Sequence, residues 1–124
     1  ITVFMKKILL IEDDHFLRSL YQNKLKKAGF EIIIAATGLE GLEQAITQAP
    51  DIILLDFNLP ELNGLGVLKE LKNNPRTNSI PVIFLTNISD SQRIKQALDA
   101  GAQDYLVKTH NLPAEVIKKI ESLL

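Results

Sequence analysis

A chain of 124 residues that is 46% hydrophobic and 23% charged has apolar material for one core and too little length for a second. Its formal net charge is -1 and its basic residues are scattered, so it offers no cationic stripe to track a nucleic-acid backbone, and direct nucleic-acid binding is not expected. The absence of cysteine excludes disulfides, thiolate metal sites and thiol nucleophiles, and neither a signal peptide nor a membrane-spanning apolar run is written in it; a cytoplasmic protein without membrane contact is the expectation.

Ile1 to Phe4 precede Met5 and are set aside as an appended remnant or disordered start, which leaves 5–124 as a single domain. The first strand-sized apolar run is Ile8 to Ile11. A helical stretch follows in which Leu17, Leu20, Tyr21, Lys24 and Ala28 share a face, Lys24 reaching outward to water, with Gly29 just past its end. The second run, Ile32 to Ala35, precedes a helix with Leu39, Leu42, Ala45, Ile46 and Ala49 on one face. The third, Ile52 to Leu55, precedes a helix carrying Leu65, Leu68 and Leu71. After the fourth, Val82 to Leu85, Ser89 and Gln92 stand at capping-box spacing before a helix with Ile94, Ala97 and Leu98, closed by Gly101. The fifth, Tyr105 to Val107, leads to a helix with Pro113 in its first turn and Val116, Ile117, Ile120 and Leu124 on its apolar side. Runs that are continuous rather than alternating mark parallel strands covered by helices on both faces. The pattern predicts an α/β fold of (βα)5 type, a doubly wound parallel five-stranded sheet. Ligands of such sheets bind outside the carboxyl ends of the strands, where the strand order reverses.

Those ends carry Glu12-Asp13-Asp14 after the first strand, Asp56 after the third, Thr86 after the fourth and Lys108 after the fifth. Carboxylates gathered at one rim repel one another unless a hard cation neutralises them, and oxygen-only ligands favour Mg²⁺ or Ca²⁺ over zinc. Lys108 and Thr86 add a cation and a hydroxyl, so the set suits a phosphorylated carboxylate. Taken singly, each residue has a plain structural use. Asp13 or Asp14 caps a helix, Asp56 and Lys108 end strands, Thr86 is a β-branched strand residue, and Tyr105 is half-buried packing. Their convergence at one edge is what favours chemistry. His15 and His110 lack paired ligand spacing and read as surface residues, as do the paired lysines; Asp51 and Asp104 read as strand-start and turn residues.

Four stretches, Ile8 to Asp14, Asp51 to Pro60 with Asn63-Gly64, Pro81 to Thr86, and Gly101 to Lys108, resemble in order the receiver domains of two-component response regulators, the chemotaxis regulator among them. The resemblance implies a flavodoxin-like sheet with strand order 2-1-3-4-5. It implies Asp56 as phosphoacceptor. Asp13 and Asp56 would be direct ligands of Mg²⁺ or Mn²⁺, Glu12 a ligand through water, and the Asn58 backbone carbonyl a further ligand. Lys108 would face the phosphoryl oxygens, with Thr86 and Tyr105 as switch residues altering the face formed by the fourth helix, fifth strand and fifth helix. The implied partners are a sensor histidine kinase or histidine phosphotransfer protein and an output domain or target, and a phosphorylation-dependent homodimer is compatible with both. The family is not enzymatic toward other molecules; it catalyses only its own phosphorylation and dephosphorylation.

Two positions depart from the family. Thr109 stands where a proline normally follows a cis peptide bond; a cis bond before threonine would cost roughly 3 kcal/mol against about 1 before proline, so a trans bond and an altered loop are expected. Asn87 replaces a usually small residue and is expected to crowd the phosphoryl group. Rival readings are a pseudo-receiver that binds without taking phosphate, the receiver part of a longer regulator or hybrid kinase, and an Mg²⁺-dependent phosphohydrolase of the haloacid-dehalogenase kind. The last would want a second acid where Asn58 stands.

Overall fold

Five strands and five helices alternate along the computed structural model, which describes residues 5–124; Ile1 to Phe4, and with them the expected remnant or disordered start, lie outside the described residues. The elements are β1 (Lys7–Ile11), α1 (His15–Lys27), β2 (Glu31–Ala35), α2 (Gly38–Gln48), β3 (Ile52–Leu55) and α3 (Gly64–Asn73). They continue with β4 (Val82–Thr86), α4 (Ser91–Asp99), β5 (Asp104–Val107), a 3-10 helix over Lys108–His110, and α5 (Pro113–Leu123). All strand pairings are parallel and the order is β2-β1-β3-β4-β5.

Strand geometry splits the apolar runs into two cores, because successive side chains point to opposite faces. Leu9, Ile11, Ile53, Leu55 and Phe84 pack on one face with Ala45 of α2, Val67, Leu68 and Leu71 of α3, and Ala97 of α4. Ile8, Leu10, Ile52, Leu54, Ile83 and Leu85 fill the other with Tyr21 and Leu25 of α1 and Val116 and Ile120 of α5. Each fully buried Leu, Ile or Val contributes about 1.5–3 kcal/mol, so both faces hold the strand ends in place.

Helix faces differ in part from those read off the sequence. In α1 the buried residues are Tyr21 and Leu25, while Leu17 and Leu20 are half-buried and Ala28 is exposed. The stripe is centred one residue on from Lys24, since leucine gains from burial and lysine does not. In α2 the inward residues are Gly38, Gly41 and Ala45, and Leu39 and Ile46 turn outward. The helix lies too close to its neighbours for anything larger: a Cβ on Gly41 would sit 2.4 Å from Ile11 Cδ1, and one on Gly38 2.2 Å from the Leu62 carbonyl oxygen. Ala49, expected on the apolar face, instead ends the helix with a left-handed φ of 47°. Leu98 of α4 is exposed beside buried Ala97. The cap of α4 is Asp90, whose carboxylate accepts from the Arg93 N–H at 3.1 Å, and not the Ser89–Gln92 pair. β2 is an edge strand in which only Ala35 is buried, so its continuous apolar run overstates its cover.

Candidate functional site

β1 has β2 on one side and β3 on the other, so the connections leaving β1 and β3 part company and open a crevice at their carboxyl ends. Backbone bonds fix the two acids there: Glu12 N–H donates to the Ala35 carbonyl at 3.0 Å and Asp56 N–H to the Ile11 carbonyl at 3.1 Å. Glu12, Asp56 and Thr86 are buried, Asp13 is exposed, and one carboxylate oxygen from each of Glu12, Asp13 and Asp56 lies within 4.8 Å of the others. Lys108 reaches across from β5. Its Nζ ion-pairs with the Glu12 carboxylate and lies 3.4 Å from Asp56 Oδ2. Asp56 Oδ1 accepts from the Asn58 N–H at 3.2 Å, and Thr86 Oγ1 from the Ile88 N–H at 3.3 Å. The cleft encloses about 290 Å³ and is lined by all six of these groups together with Asp14, Leu17, Asn87 and Ile88.

The electrostatics follow from burial and crowding. Glu12 is pushed up to about 7, first by burial, then by the hydrogen bond and charge of Asp56, against the pull of Lys108. For Lys108 burial works against the charge, but the hydrogen bond to Glu12 and the charges of Asp56 and Glu12 together hold its pKa above the ordinary lysine value. Three convergent carboxylates with one cation form an oxygen-rich set that suits a hard divalent cation.

Glu12, Asp13, Asp56, Thr86 and Lys108 are thus brought together, as their places after the strands lead one to expect, and Asn58, whose part came from the family resemblance, lines the same cleft. Asp14 is the N-cap of α1, accepting from the Leu17 N–H at 2.9 Å. Asn87 stands exposed at the cleft. Tyr105 lies outside it: the ring stacks on Phe84 with centroids 5.4 Å apart, and the hydroxyl donates to the Ile88 carbonyl at 2.6 Å. Burial, with the negative charges of Asp90 and Asp56, raises that hydroxyl to about 12. His15 and His110 are exposed. The Lys108–Thr109 bond is trans and enters the 3-10 helix. Sequence reasoning missed Arg18, whose Nη1 donates to the Glu12 carbonyl at 2.9 Å and lies 3.4 Å from the Asp13 carbonyl oxygen. The available signal was its place one turn into α1, from which a helical side chain leans back toward the β1–α1 loop.

Fold and rim define a receiver module: residues 8–121 match the response regulator receiver domain, and the chain belongs to that family of two-component signalling proteins. It is 36% identical over 120 residues to the DNA-binding dual master transcriptional regulator RpaA of a Synechocystis species, covering 97% of this chain and 49% of that protein. Identity to the alkaline phosphatase synthesis transcriptional regulatory protein PhoP of Bacillus subtilis is 34% over 119 residues, covering 96% and 48% respectively. The chain spans about half the length of the curated relatives it matches. Chemotaxis protein CheY4 of Vibrio cholerae superposes with a TM-score of 0.90 at 27% identity, over 98% of this chain and 100% of that one. The receiver domain of a signal transduction histidine kinase from Syntrophus aciditrophicus gives 0.87 at 28% identity, over 96% and 89%. Among the described residues no helix is long and apolar enough to cross a membrane.

Proposed function

We propose that the chain is a phosphoacceptor switch of a two-component phosphorelay, in which Asp56 takes a phosphoryl group from a phosphohistidine of a sensor kinase or phosphotransfer protein. The observation that carries this is the convergence of Glu12, Asp13 and Asp56 with Lys108 on one cleft. An Asp56 carboxylate oxygen forms the new bond to phosphorus as the donor's P–N bond breaks, and the imidazole nitrogen keeps the electron pair. Asp13 and Asp56, with Glu12 through water and the Asn58 carbonyl, would hold Mg²⁺ or Mn²⁺, which supplies positive charge to the phosphoryl oxygens. Lys108 supplies it from the other side, and the Asn58 N–H steadies the carboxylate. Hydrolysis of the aspartyl phosphate resets the domain.

The output runs through Ile88. Its N–H donates to Thr86 and its carbonyl accepts from Tyr105, so one residue links both switch side chains. A Thr86 hydroxyl that turns to donate to a phosphoryl oxygen releases the Ile88 N–H, shifts the β4–α4 loop and draws Tyr105 with it. The face of α4, β5 and α5 changes accordingly, for a separate target, for a second copy in a phosphorylation-dependent homodimer, or for an attached domain. Because the relatives are about twice as long and two are named as transcriptional regulators, we favour a DNA-binding output domain on the parent protein, in the cytoplasm.

Incubation with acetyl phosphate and Mg²⁺, followed by intact mass measurement, tests the core claim. Wild type should gain one phosphoryl mass and Asp56→Ala none. A wild type that gains nothing, or a variant that gains as much, refutes it.

A further inference from the structure

The β1–α1 loop carries two of the three clustered acids on a short span of backbone. One end is anchored by the Glu12 N–H on the Ala35 carbonyl, the other by Asp14 as the cap of α1. Between these anchors the carbonyls of Glu12 and Asp13 both face the guanidinium of half-buried Arg18, at 2.9 and 3.4 Å. At a rim crowded with carboxylates, this cation spends its hydrogen bonds on backbone oxygens.

We propose that Arg18 is a positioning residue for the divalent-cation site: it fixes the backbone from which Glu12 and Asp13 project and so keeps their carboxylates beside Asp56. The inference rests on the metal-site reading above. Asp13 is exposed and close to two other carboxylates, so a loosened loop lets it swing toward water, and the site loses a ligand before the cation arrives. Charge-assisted hydrogen bonds to carbonyls are among the stronger polar contacts, and groups that orient metal ligands commonly affect affinity as much as some ligands do. The opposing reading is that Arg18 acts only as a nearby positive charge, which would repel a divalent cation. The two readings predict opposite signs for a neutral replacement.

Calorimetric titration of the whole chain with MgCl₂ separates them, alongside melting in EDTA to record fold stability. With positioning, Arg18→Met weakens Mg²⁺ binding about ten-fold, and Arg18→Lys, which keeps the charge but reaches one carbonyl, weakens it less. Tighter binding by Arg18→Met with unchanged binding by Arg18→Lys means charge alone and overturns the proposal. A lower EDTA melting point with Mg²⁺ affinity unchanged in both variants means a purely structural role and overturns it as well. Should Arg18→Met fail to fold, Arg18→Lys still decides, since only positioning predicts weaker binding by that variant. A wild type that binds no Mg²⁺ brings down the metal-site reading itself, an outcome distinct from wild-type binding that Arg18 does not influence.

Discussion

Raising the pH from 4.5 to 7.5 in EDTA should destabilise the fold through Glu12. That carboxyl is 3% exposed and titrates at about 7, raised first by burial, then by Asp56, against Lys108. In the unfolded chain it returns to about 4.5. Between these values the folded state holds a proton that the unfolded state has released. Stability therefore falls as pH rises through the window and levels off above about 7, the opposite slope to that of a salt-bridged carboxylate with a depressed pKa. At about 1.36 kcal/mol per pH unit the full difference is about 3 kcal/mol, which water at the cleft mouth reduces toward about 2. For a domain of this size that is a fall in melting temperature of about 10 °C. Lys108, whose pKa lies above the ordinary lysine value, loses its own contribution only in alkali. Melting curves in EDTA at half-unit steps should trace the fall. Saturating Mg²⁺ should flatten it, because bound cation requires the ionised carboxylate. In Asp56→Asn the inflection should move down without reaching 4.5, because burial remains. An EDTA melting point that stays level or rises across the window refutes the placement of Glu12 in a desolvated acidic cluster.

Three further outcomes follow from the packing and the cleft. Gly64→Ala places a Cβ 2.3 Å from the Asp56 carbonyl oxygen and 2.7 Å from Phe57 Cα, backbone contacts that cannot rotate away. It should cost about 1–3 kcal/mol in urea unfolding, and an unchanged midpoint would contradict the close approach of α3 to the segment that follows β3. Leu25→Ala empties a site with no solvent exposure and should cost about 2–5 kcal/mol, with Lys24→Ala close to neutral. The reverse ranking would mean that α1 is rotated from the register described. Asn87→Ala removes bulk from the cleft lining and should speed both loading from acetyl phosphate and loss of the phosphoryl group, followed by intact mass over time. Rates equal to wild type would show that Asn87 does not crowd the pocket.

The alternation of strands and helices was legible along the chain, because continuous apolar runs and 3.6-residue periodicity are local signals. So were the chemical types at the carboxyl ends, since a parallel sheet puts every strand end on one rim wherever its neighbours fall. The order β2-β1-β3-β4-β5 came through family likeness and not from pattern. Other features required the folded molecule. The Lys108–Glu12 pair joins residues 96 apart, and only the sheet brings β5 within reach of β1. The division of labour between Asp13 at the cluster and Asp14 at the helix cap depends on the turn between them, which two adjacent aspartates cannot reveal. The inward face of α2 differs from its leucine stripe because hydrophobicity counts leucine above glycine, whereas close packing against Ile11 and Leu62 selects the residue with no side chain. In α1 the stripe centres on Leu25 and not Lys24 because leucine gains from burial and lysine does not. Arg18 and Tyr105 gain their meaning from backbone oxygens, of Glu12, Asp13 and Ile88, whose direction is set by the path of the chain. Sequence by itself determined which chemical groups reach the rim, because strand ends are local; only the tertiary structure decided what each group touches, because those contacts join distant parts of the chain.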